Sequence, residues 1–449
     1  MFWQHLKLFK HFKHLNYLTM AKYKVYGYRW VMLALFMLMV AANQVLWITF
    51  APITVDAASF FKVSDLMIGI LSMSFMIVYM IVSIPASWVI DTYGIKIGAG
   101  IGAALTGFFG LMRGWAGPDY NMVLIAQIGI AIGQPFLLNA ITKLSAVWFP
   151  MEERATAAGL GTLSMYIGIL AGMVVTPMLF TAKGLVGMMN LYGIVAAVIG
   201  VLFLALSRET PPTPPCEEHG DVRALAMDGF KLMFKSRDFW LLMVIFFIGL
   251  GVFNSVTTWI ENIMMPRGFT AAQAGNTGGI MIAGGILGAL IMPFLSDYYR
   301  RRTPFIMIAL AGATTGLIGI TFATNYYLLL LSGATLGFFL LSSGPIGFQY
   351  GAEITYPASE GASNGWLLLM GQVSGIIFIF AMDGFKSAAT GSMTYSLVVL
   401  IALMIFSFLL SSRLKESKIL TGNETLLNPN LQTETLAASG SANNIHVKN

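Results

Sequence analysis

The sequence predicts an all-α polytopic membrane protein of twelve transmembrane helices, arranged as two similar halves of six helices. Three observations predict this fold: the chain is very apolar, its apolar stretches have the length of membrane-spanning helices, and short motifs recur about 206 residues apart. Of the 449 residues, 57% are hydrophobic and 10% are charged, whereas soluble domains average about 25% charged residues. A soluble core of this size is therefore excluded.

Twelve apolar stretches account for most of the chain. A helix needs about 20 residues to cross the hydrocarbon core of a bilayer, and most of the stretches approach or exceed that length with few charges. The others are shorter or richer in glycine. In chain order, the predicted helices 1 to 12 span residues 30–50, 66–90, 97–112, 121–142, 156–180, 187–206, 239–260, 271–294, 304–322, 327–347, 363–382 and 391–411.

The most polar internal stretch, 208–238, divides six predicted helices from six. It begins with a proline-rich run and continues with mixed charges, which is typical of a loop. The basic N-terminal extension is interpreted as an interfacial amphipathic segment or as a disordered extension. We predict an N-terminal extension (1–29), an N-terminal six-helix bundle (30–207), a central cytoplasmic loop (208–238), a C-terminal six-helix bundle (239–412) and a polar cytoplasmic tail (413–449).

The placement of charge predicts the orientation in a cell membrane or inner membrane. If both termini are cytoplasmic, most of the 26 Lys and Arg residues lie on the cytoplasmic side or in the tails. This asymmetry follows the positive-inside rule. The net charge of +6 is then a consequence of topology, and no nucleic-acid partner is expected. The basic residues predicted on the other side are Lys62, Arg113, Lys183, Arg267 and Lys386.

Two independent motifs repeat at nearly the same offset. Asp91-Thr-Tyr matches Asp297-Tyr-Tyr, and Phe149-Pro-x-x-Glu153 matches Tyr356-Pro-x-x-Glu360. Parallel repeats of six helices, related by an axis along the membrane normal, are the architecture of the major facilitator superfamily, and we predict that fold.

Acidic residues at the ends of these predicted helices are candidates for a gate that closes the cytoplasmic side. A carboxylate is favoured near the N-terminus of a neighbouring helix, so structural capping would explain the same residues equally well. The candidate gating residues are Asp91, Asp297, Glu153, Glu353 and Glu360.

Polar side chains inside the predicted helices form the candidate solute site. Such residues are costly in lipid and often mark a transport pathway. Trp47 is alternatively a core-facing or lipid-facing aromatic residue, and Glu261 alternatively marks the outer end of helix 7 or attracts a cation. The candidate solute-binding residues are Asn43, Gln44, Trp47, Gln134, Asn254, Glu261 and Gln372.

Some functions are disfavoured by what the predicted helices lack. The five His residues fall in the tails or the central loop, and the single Cys216 falls in that loop. We therefore expect no cofactor and no metal site within the helices, no intramolecular disulfide, and no enzymatic activity. Neutral amides beside an aromatic face suit a small organic cation or a zwitterion, because the face of the ring attracts ammonium groups.

The run from Gly347 to Gly361, which contains Glu-Ile-Thr-Tyr-Pro-Ala-Ser-Glu-Gly, resembles the junction of helices 10 and 11 in the feline leukaemia virus subgroup C receptor family. Val147-Trp-Phe-Pro150 and Ile90-Asp-Thr-Tyr-Gly94 also resemble its first half, and the resemblance spans about residues 40–412. It implies transport of choline or ethanolamine, and also an association with haem export.

The resemblance also implies a solute site. The family binds the quaternary ammonium group against aromatic side chains of helices 1 and 7, with glutamines on helices 4 and 11. Trp47, Gln134 and Gln372 match three of these positions. Asn254 stands where the family has a tyrosine, and Met165 stands where it has an asparagine. Half of the aromatic cage is therefore absent.

The sequence predicts a secondary transporter or facilitator that moves a small organic solute by alternating access, with a choline-like amine or a zwitterion favoured. We expect a monomer whose partners are this solute and the lipid bilayer. One alternative is a transporter of the same fold that moves haem, an iron chelate or another metabolite. A receptor or sensor without net flux is disfavoured, because the loop and the tail are too short for a signalling domain.

Overall fold

The computed structural model describes residues 24–215, 233–356, 358 and 360–417. The helices within these ranges confirm the predicted all-α fold. Eleven of them are long and apolar enough to cross a membrane, and one of the eleven, Met151–Leu206, has a non-helical break at Gly184. Counting the two parts of that segment separately gives twelve spanning helices. The predictions for residues 1–23, Cys216, the five His residues and most of the tail fall outside the described residues.

The twelve spanning helices are labelled α1 to α12 in chain order. They begin and end close to the predicted stretches, except that α10 continues beyond 347 into a polar segment. The bounds are α1 Tyr28–Ile48, α2 Asp65–Tyr93, α3 Ile95–Trp115, α4 Tyr120–Leu138, α5 151–183, α6 185–206, α7 Arg237–Thr258, α8 Ala271–Tyr298, α9 Thr303–Phe322, α10 Tyr326–Thr355, α11 Glu360–Gly384 and α12 Thr394–Ser411.

The junction between α5 and α6 is a single residue. Gly184 has φ 68° and ψ 175°, a backbone conformation that residues with a Cβ rarely adopt. The chain reverses there without a polar loop, which is why one long helical segment contains two spanning helices.

Glycine allows α1 and α5 to approach closely. A Cβ at Gly168 would collide with the backbone of Ala41, and a Cβ at Gly172 would collide with the side chain of Ile48. In the other half, a Cβ at Gly284 or at Gly288 would collide with the backbone of α10 in the same way. The spacing of small residues four apart therefore serves helix packing, as it does in many membrane proteins.

Two matched caps relate the halves. Glu209, just after α6, accepts hydrogen bonds from the backbone N–H groups of Ile95 (2.9 Å) and Lys96 (2.7 Å) at the start of α3. Glu416, just after α12, accepts from the N–H groups of Arg302 (2.7 Å) and Thr303 (3.3 Å) at the start of α9. The two acceptors are 207 residues apart, and so are the equivalent donors, Ile95 and Arg302 as well as Lys96 and Thr303. Each carboxylate satisfies N–H groups that the helix leaves free.

These caps bear on one of the two interpretations of Asp91 and Asp297, structural capping and gating. The N–H groups at the starts of α3 and α9 donate to Glu209 and Glu416. The two aspartates lie in the last turns of α2 and α8, beside basic side chains.

Candidate functional site

The two faces of the molecule are named by the ends of the described chain. The terminal face holds Lys24, which precedes α1, and Ser417, which follows α12. The opposite face holds the turns after α1 and α7. Because each half has an even number of spanning helices, both ends of the described chain lie at the same face.

Hydrogen bonds join the two halves at the opposite face. The backbone N–H of Val55 donates to Glu261 Oε2 at 2.7 Å. Asn262 Nδ2 donates to Asp65 Oδ2 at 2.8 Å, and the ammonium group of Lys386 also binds Asp65. Glu261 and Asn262 are each 2% exposed. These residues form a contact between the halves, called the outer latch below.

Helix packing supports the outer latch. The start of α8 lies against the second half of α5, where Gly275 and Gly279 leave room for Met173 and Val174. Trp259, which follows α7, is fully buried and donates its indole N–H to the backbone oxygen of Ile379 in its own half at 3.1 Å. Its ring also packs against Gly69 of α2 in the other half, where a Cβ would lie 2.9 Å from the indole. The halves are therefore tightly packed near this face.

At the terminal face, the candidate gating residues bind basic partners within their own half. Arg29 makes two hydrogen bonds to Glu153, at 2.9 and 3.2 Å. Lys143 caps the end of α2 by donating to the Ile90 carbonyl at 2.6 Å, and its Nζ lies 3.9 Å from an Asp91 carboxylate oxygen.

The corresponding site in the C-terminal half is centred on Arg302. Its guanidinium binds Asp297 and donates to Glu353 Oε1 at 3.1 and 3.2 Å. Arg302 and Glu353 side chains are each 7% exposed, so this ion pair is partly shielded from water. The side chain of Glu360 lies outside the described part of the chain.

Trp47 is buried between α1 and α2. Its indole N–H donates to the backbone oxygen of Ser72 at 3.2 Å, and its ring centre lies 6.5 Å from that of Phe75. The hydrogen bond holds the edge of the indole against α2 and so fixes the plane of the ring. A fixed aromatic face can receive a cation without the cost of ordering a mobile side chain.

Asn43 and Gln44 are bound inside the N-terminal half. Asn43 Nδ2 donates to Thr106 Oγ1 at 3.1 Å and lies 3.4 Å from the Ile130 carbonyl, while Gln44 Nε2 lies 3.5 Å from Asn43 Oδ1. Both residues are 1% exposed. The Asn43 amide therefore ties α1 to α3 and α4, and Gln44 binds Asn43 within α1, in contrast to Trp47, which binds α2.

Gln134 and Gln372 come from opposite halves. Gln134 on α4 is 8% exposed, Gln372 on α11 is half-buried, and neither amide has a hydrogen-bond partner among the described residues. Asn254 on α7 donates to the carbonyl of Gly371, the residue before Gln372, at 3.1 Å. Unpaired amides in buried surroundings are rare and are able to bind a polar solute.

Four residues with evident structural roles at this site were missed as candidates in the sequence. Asp65, Asn262 and Lys386 form the outer latch, and Arg113 is completely buried at the end of α3. Asp65 and Lys386 are 321 residues apart, and no motif links them. Charge placement predicts Arg113 on the side opposite the termini, and its side chain is buried in the protein interior in the last turn of α3.

Comparison with known proteins identifies the family. Residues 30–379 match the sequence model described as Major Facilitator Superfamily. Solute carrier family 49 member A3 of Xenopus tropicalis is 30% identical over 377 residues, which cover 80% of this chain and 78% of that protein. The protein named choline/ethanolamine transporter FLVCR2 of Homo sapiens is 26% identical over 377 residues, which cover 79% of this chain and 71% of that protein.

Solved structures show the same fold. A bacterial homologue of the human lysosomal transporter Spinster, in an inward-facing conformation, matches 87% of this chain and 98% of its own with TM-score 0.72 and 15% identity. The transporter FucP in an outward conformation matches 86% of this chain and 98% of its own with TM-score 0.60 and 17% identity. The chain is therefore a multi-pass membrane transporter that belongs to the Major Facilitator Superfamily and, within it, to the feline leukaemia virus subgroup C receptor family, which includes solute carrier family 49 member A3.

Proposed function

We propose that this transporter carries a small amine of the choline and ethanolamine class, or a related zwitterion, by alternating access. The observation that carries the proposal is the pair of unpaired amides, Gln134 and Gln372, on helices of opposite halves. A solute that touches both amides would bridge the halves, and its release would let them move relative to each other.

The chemistry of the neighbouring groups supports an amine. Trp47 supplies a fixed aromatic ring, and the amide oxygens of Gln134, Gln372 and Asn254 are uncharged acceptors. An ammonium group binds favourably to ring faces and to carbonyl oxygens without a full counter-charge. Relatives named choline/ethanolamine transporters support the same class.

Asn254 supports a solute with its own hydrogen-bond donors. The family has an aromatic residue at this position, and an amide offers an oxygen acceptor in place of a ring face. A primary ammonium group, as in ethanolamine, has three N–H donors, whereas a quaternary group has none. We therefore propose that this chain favours ethanolamine-like amines relative to choline more strongly than a transporter with a complete aromatic cage does.

We propose that the terminal face is cytoplasmic. The excess of Lys and Arg in the segments assigned to this face supports that orientation. The outer latch then closes the extracellular side, and the conformation is inward-facing.

Ligand-induced thermal stabilisation of the purified protein tests the solute class. A ligand that binds the folded state raises the unfolding temperature, and the stabilisation grows with the logarithm of ligand concentration once the concentration exceeds Kd. We expect ethanolamine and choline to stabilise the protein in this concentration-dependent manner, and haem to stabilise it less. Stabilisation by haem at lower concentration than by either amine would contradict the proposal and favour a haem transporter.

A further inference from the structure

Arg113 lies on a membrane-spanning helix, and its charged side chain is completely buried in the protein interior. It lies in the last turn of α3 and is 0% exposed. Its guanidinium donates to the backbone oxygen of Leu46 at 2.8 Å, to Gln127 Oε1 at 2.9 Å and to Thr49 Oγ1 at 3.2 Å. Burial of a charge in a membrane is costly, and charged residues at such positions are commonly functional.

The acceptors of Arg113 are concentrated at the end of α1. This helix ends at Ile48, so the carbonyl groups of its last turn lack helical donors. The Leu46 carbonyl also receives hydrogen bonds from Gln127 Nε2 at 3.2 Å and from Thr49 Oγ1 at 3.3 Å. A cation at the carbonyl end of a helix is also favoured by the helix dipole. Arg113 and Gln127 thus cap α1 with a charge and an amide.

The regular helix is interrupted immediately beyond this cap. Residues 49–50 form a turn, Ala51–Ile53 form one 3₁₀ turn that contains a proline, and Ile53 has the non-helical angles φ −137° and ψ 32°. The turn contacts α8 of the other half, and Val55 donates to Glu261 in the outer latch. Before the break the chain is bound to its own half, and after the break it contacts both its own half and the other half.

We propose that Arg113 and Gln127 clamp the end of α1, so that opening of the outer latch bends the chain at residues 49–53 and leaves Trp47 in place. This inference rests on the proposed function, because Trp47 belongs to the proposed solute site. Arg113 is a positioning residue: it binds the carbonyl of Leu46, which directly precedes Trp47, and does not need to touch the solute.

One feature of Arg113 favours this role over stability alone. Its Nε group has no hydrogen-bond partner among the described residues. The burial of the guanidinium is therefore incompletely compensated, and such groups are often less stabilising than an apolar side chain of similar size. A residue that served only packing would be replaced by methionine at little cost.

Hydrogen–deuterium exchange on the solute-free protein tests the clamp. We expect Arg113→Met to raise exchange selectively in peptides covering residues 43–49, with Gln127→Leu giving a smaller rise. The matched control is Arg267→Met, because Arg267 also donates to a single helix carbonyl, that of Ile320, at 2.6 Å. This control should leave residues 43–49 protected. Unchanged exchange at 43–49 in Arg113→Met, or a uniform rise across the N-terminal half, would overturn the clamp.

Transport kinetics provide the second test. If the clamp positions Trp47, Arg113→Met should raise KM about tenfold while the maximal rate stays within about twofold. The reason is that the amine would be held more weakly to the same extent in the bound state and in the transition state for transport. Arg113→Lys keeps one donor for Leu46 and should restore part of the loss. Equal KM values in the wild type and Arg113→Met would overturn the inference. If the wild type carries no amine, the proposed function fails, and the exchange measurement still tests the clamp.

Discussion

The carboxyl group of Glu261 accepts a hydrogen bond from the backbone N–H of Val55 at 2.7 Å, across the boundary between the two halves. Val55 lies in the first turn of the short helix Thr54–Phe61, so Glu261 binds the positive end of a helix that belongs to the other half. The contact exists only while the halves meet at this face, which makes Glu261 sensitive to opening.

Opening of the outer latch should depend on pH. Glu261 lies in the short helix Ile260–Met264, beyond the spanning segment, and its pKa is raised from 4.5 to about 8. Burial is the largest cause, the nearby charges of Asp56 and Asp65 act in the same direction, and hydrogen bonds from the backbone of Val55 and Thr54 partly offset them. In the open state the carboxyl group would be in water, with a pKa near 4.5.

The direction of the pH dependence follows from the two pKa values of Glu261. The closed state holds the proton more tightly, so protonation of Glu261 favours closure. This stabilisation of the closed state is complete below the open-state pKa and is lost as pH rises through the closed-state pKa. We therefore expect the outer latch to open more readily as pH rises from about 5 to 8, by up to tenfold per unit.

Cysteine labelling measures this opening. Ile53→Cys, in a Cys216→Ser background, places a thiol at a position that is 0% exposed in the closed state. Its labelling by an impermeant reagent should rise with pH more steeply than that of the exposed control Lys62→Cys, which corrects for thiol ionisation. Adding Glu261→Gln should remove the excess slope, and an excess slope that survives Glu261→Gln would contradict the prediction.

The ion pair of the outer latch should hold the halves together independently of Glu261. Asp65 receives hydrogen bonds from both Asn262 and Lys386, and its side chain is 21% exposed. Because a partly exposed ion pair contributes about 1 kcal/mol, Asp65→Asn should raise labelling of Ile53→Cys about fivefold at constant pH. Exchanging the charges, with Asp65→Lys and Lys386→Asp together, should restore part of the protection. Labelling that is unchanged in Asp65→Asn would show that the pair does not stabilise closure.

The fold was predictable because its signals are local or periodic. The length of each apolar stretch predicts a spanning helix, and the offset of Asp91 and Asp297 predicts the repeat. α10 extends beyond its predicted end at 347 because packing, and not hydropathy, sustains the helix through Glu353. Helix ends that continue past the apolar core are not visible in composition.

The candidate site was less predictable, because its contacts join distant parts of the chain. Charge placement predicts only the side of the membrane on which Arg113 lies, and it gives no sign that the Leu46 carbonyl and the Thr49 hydroxyl at the end of α1 hold the side chain in the interior. Glu209 and Glu416 could have been found, since they share the repeat offset, but a lone glutamate after a helix carries little signal. The roles of the solute-binding and gating candidates remain predictions.

The matched caps should contribute similar stability to the two halves. Glu416→Gln weakens the hydrogen bonds to the start of α9 and removes a charge that the helix dipole favours. Loss of a cap costs about 0.5–2 kcal/mol, so we expect a lower unfolding temperature in Glu416→Gln and a similar decrease in Glu209→Gln. The matched control is Glu152→Gln, because Glu152 is exposed in the first turn of α5. A decrease in the unfolding temperature of Glu152→Gln as large as that of Glu416→Gln and Glu209→Gln would contradict a specific capping role.

Uptake of radiolabelled choline and ethanolamine into proteoliposomes tests the central claim most directly. We compare the wild type with Trp47→Ala, Trp47→Phe and the control Trp88→Ala, which alters a tryptophan that is 59% exposed on α2. The account predicts saturable wild-type uptake, near-complete loss in Trp47→Ala, partial retention in Trp47→Phe and no change in Trp88→Ala, with each variant folded. Wild-type uptake no faster than empty vesicles would contradict transport of amines, and a wild-type rate in Trp47→Ala would contradict the proposed site.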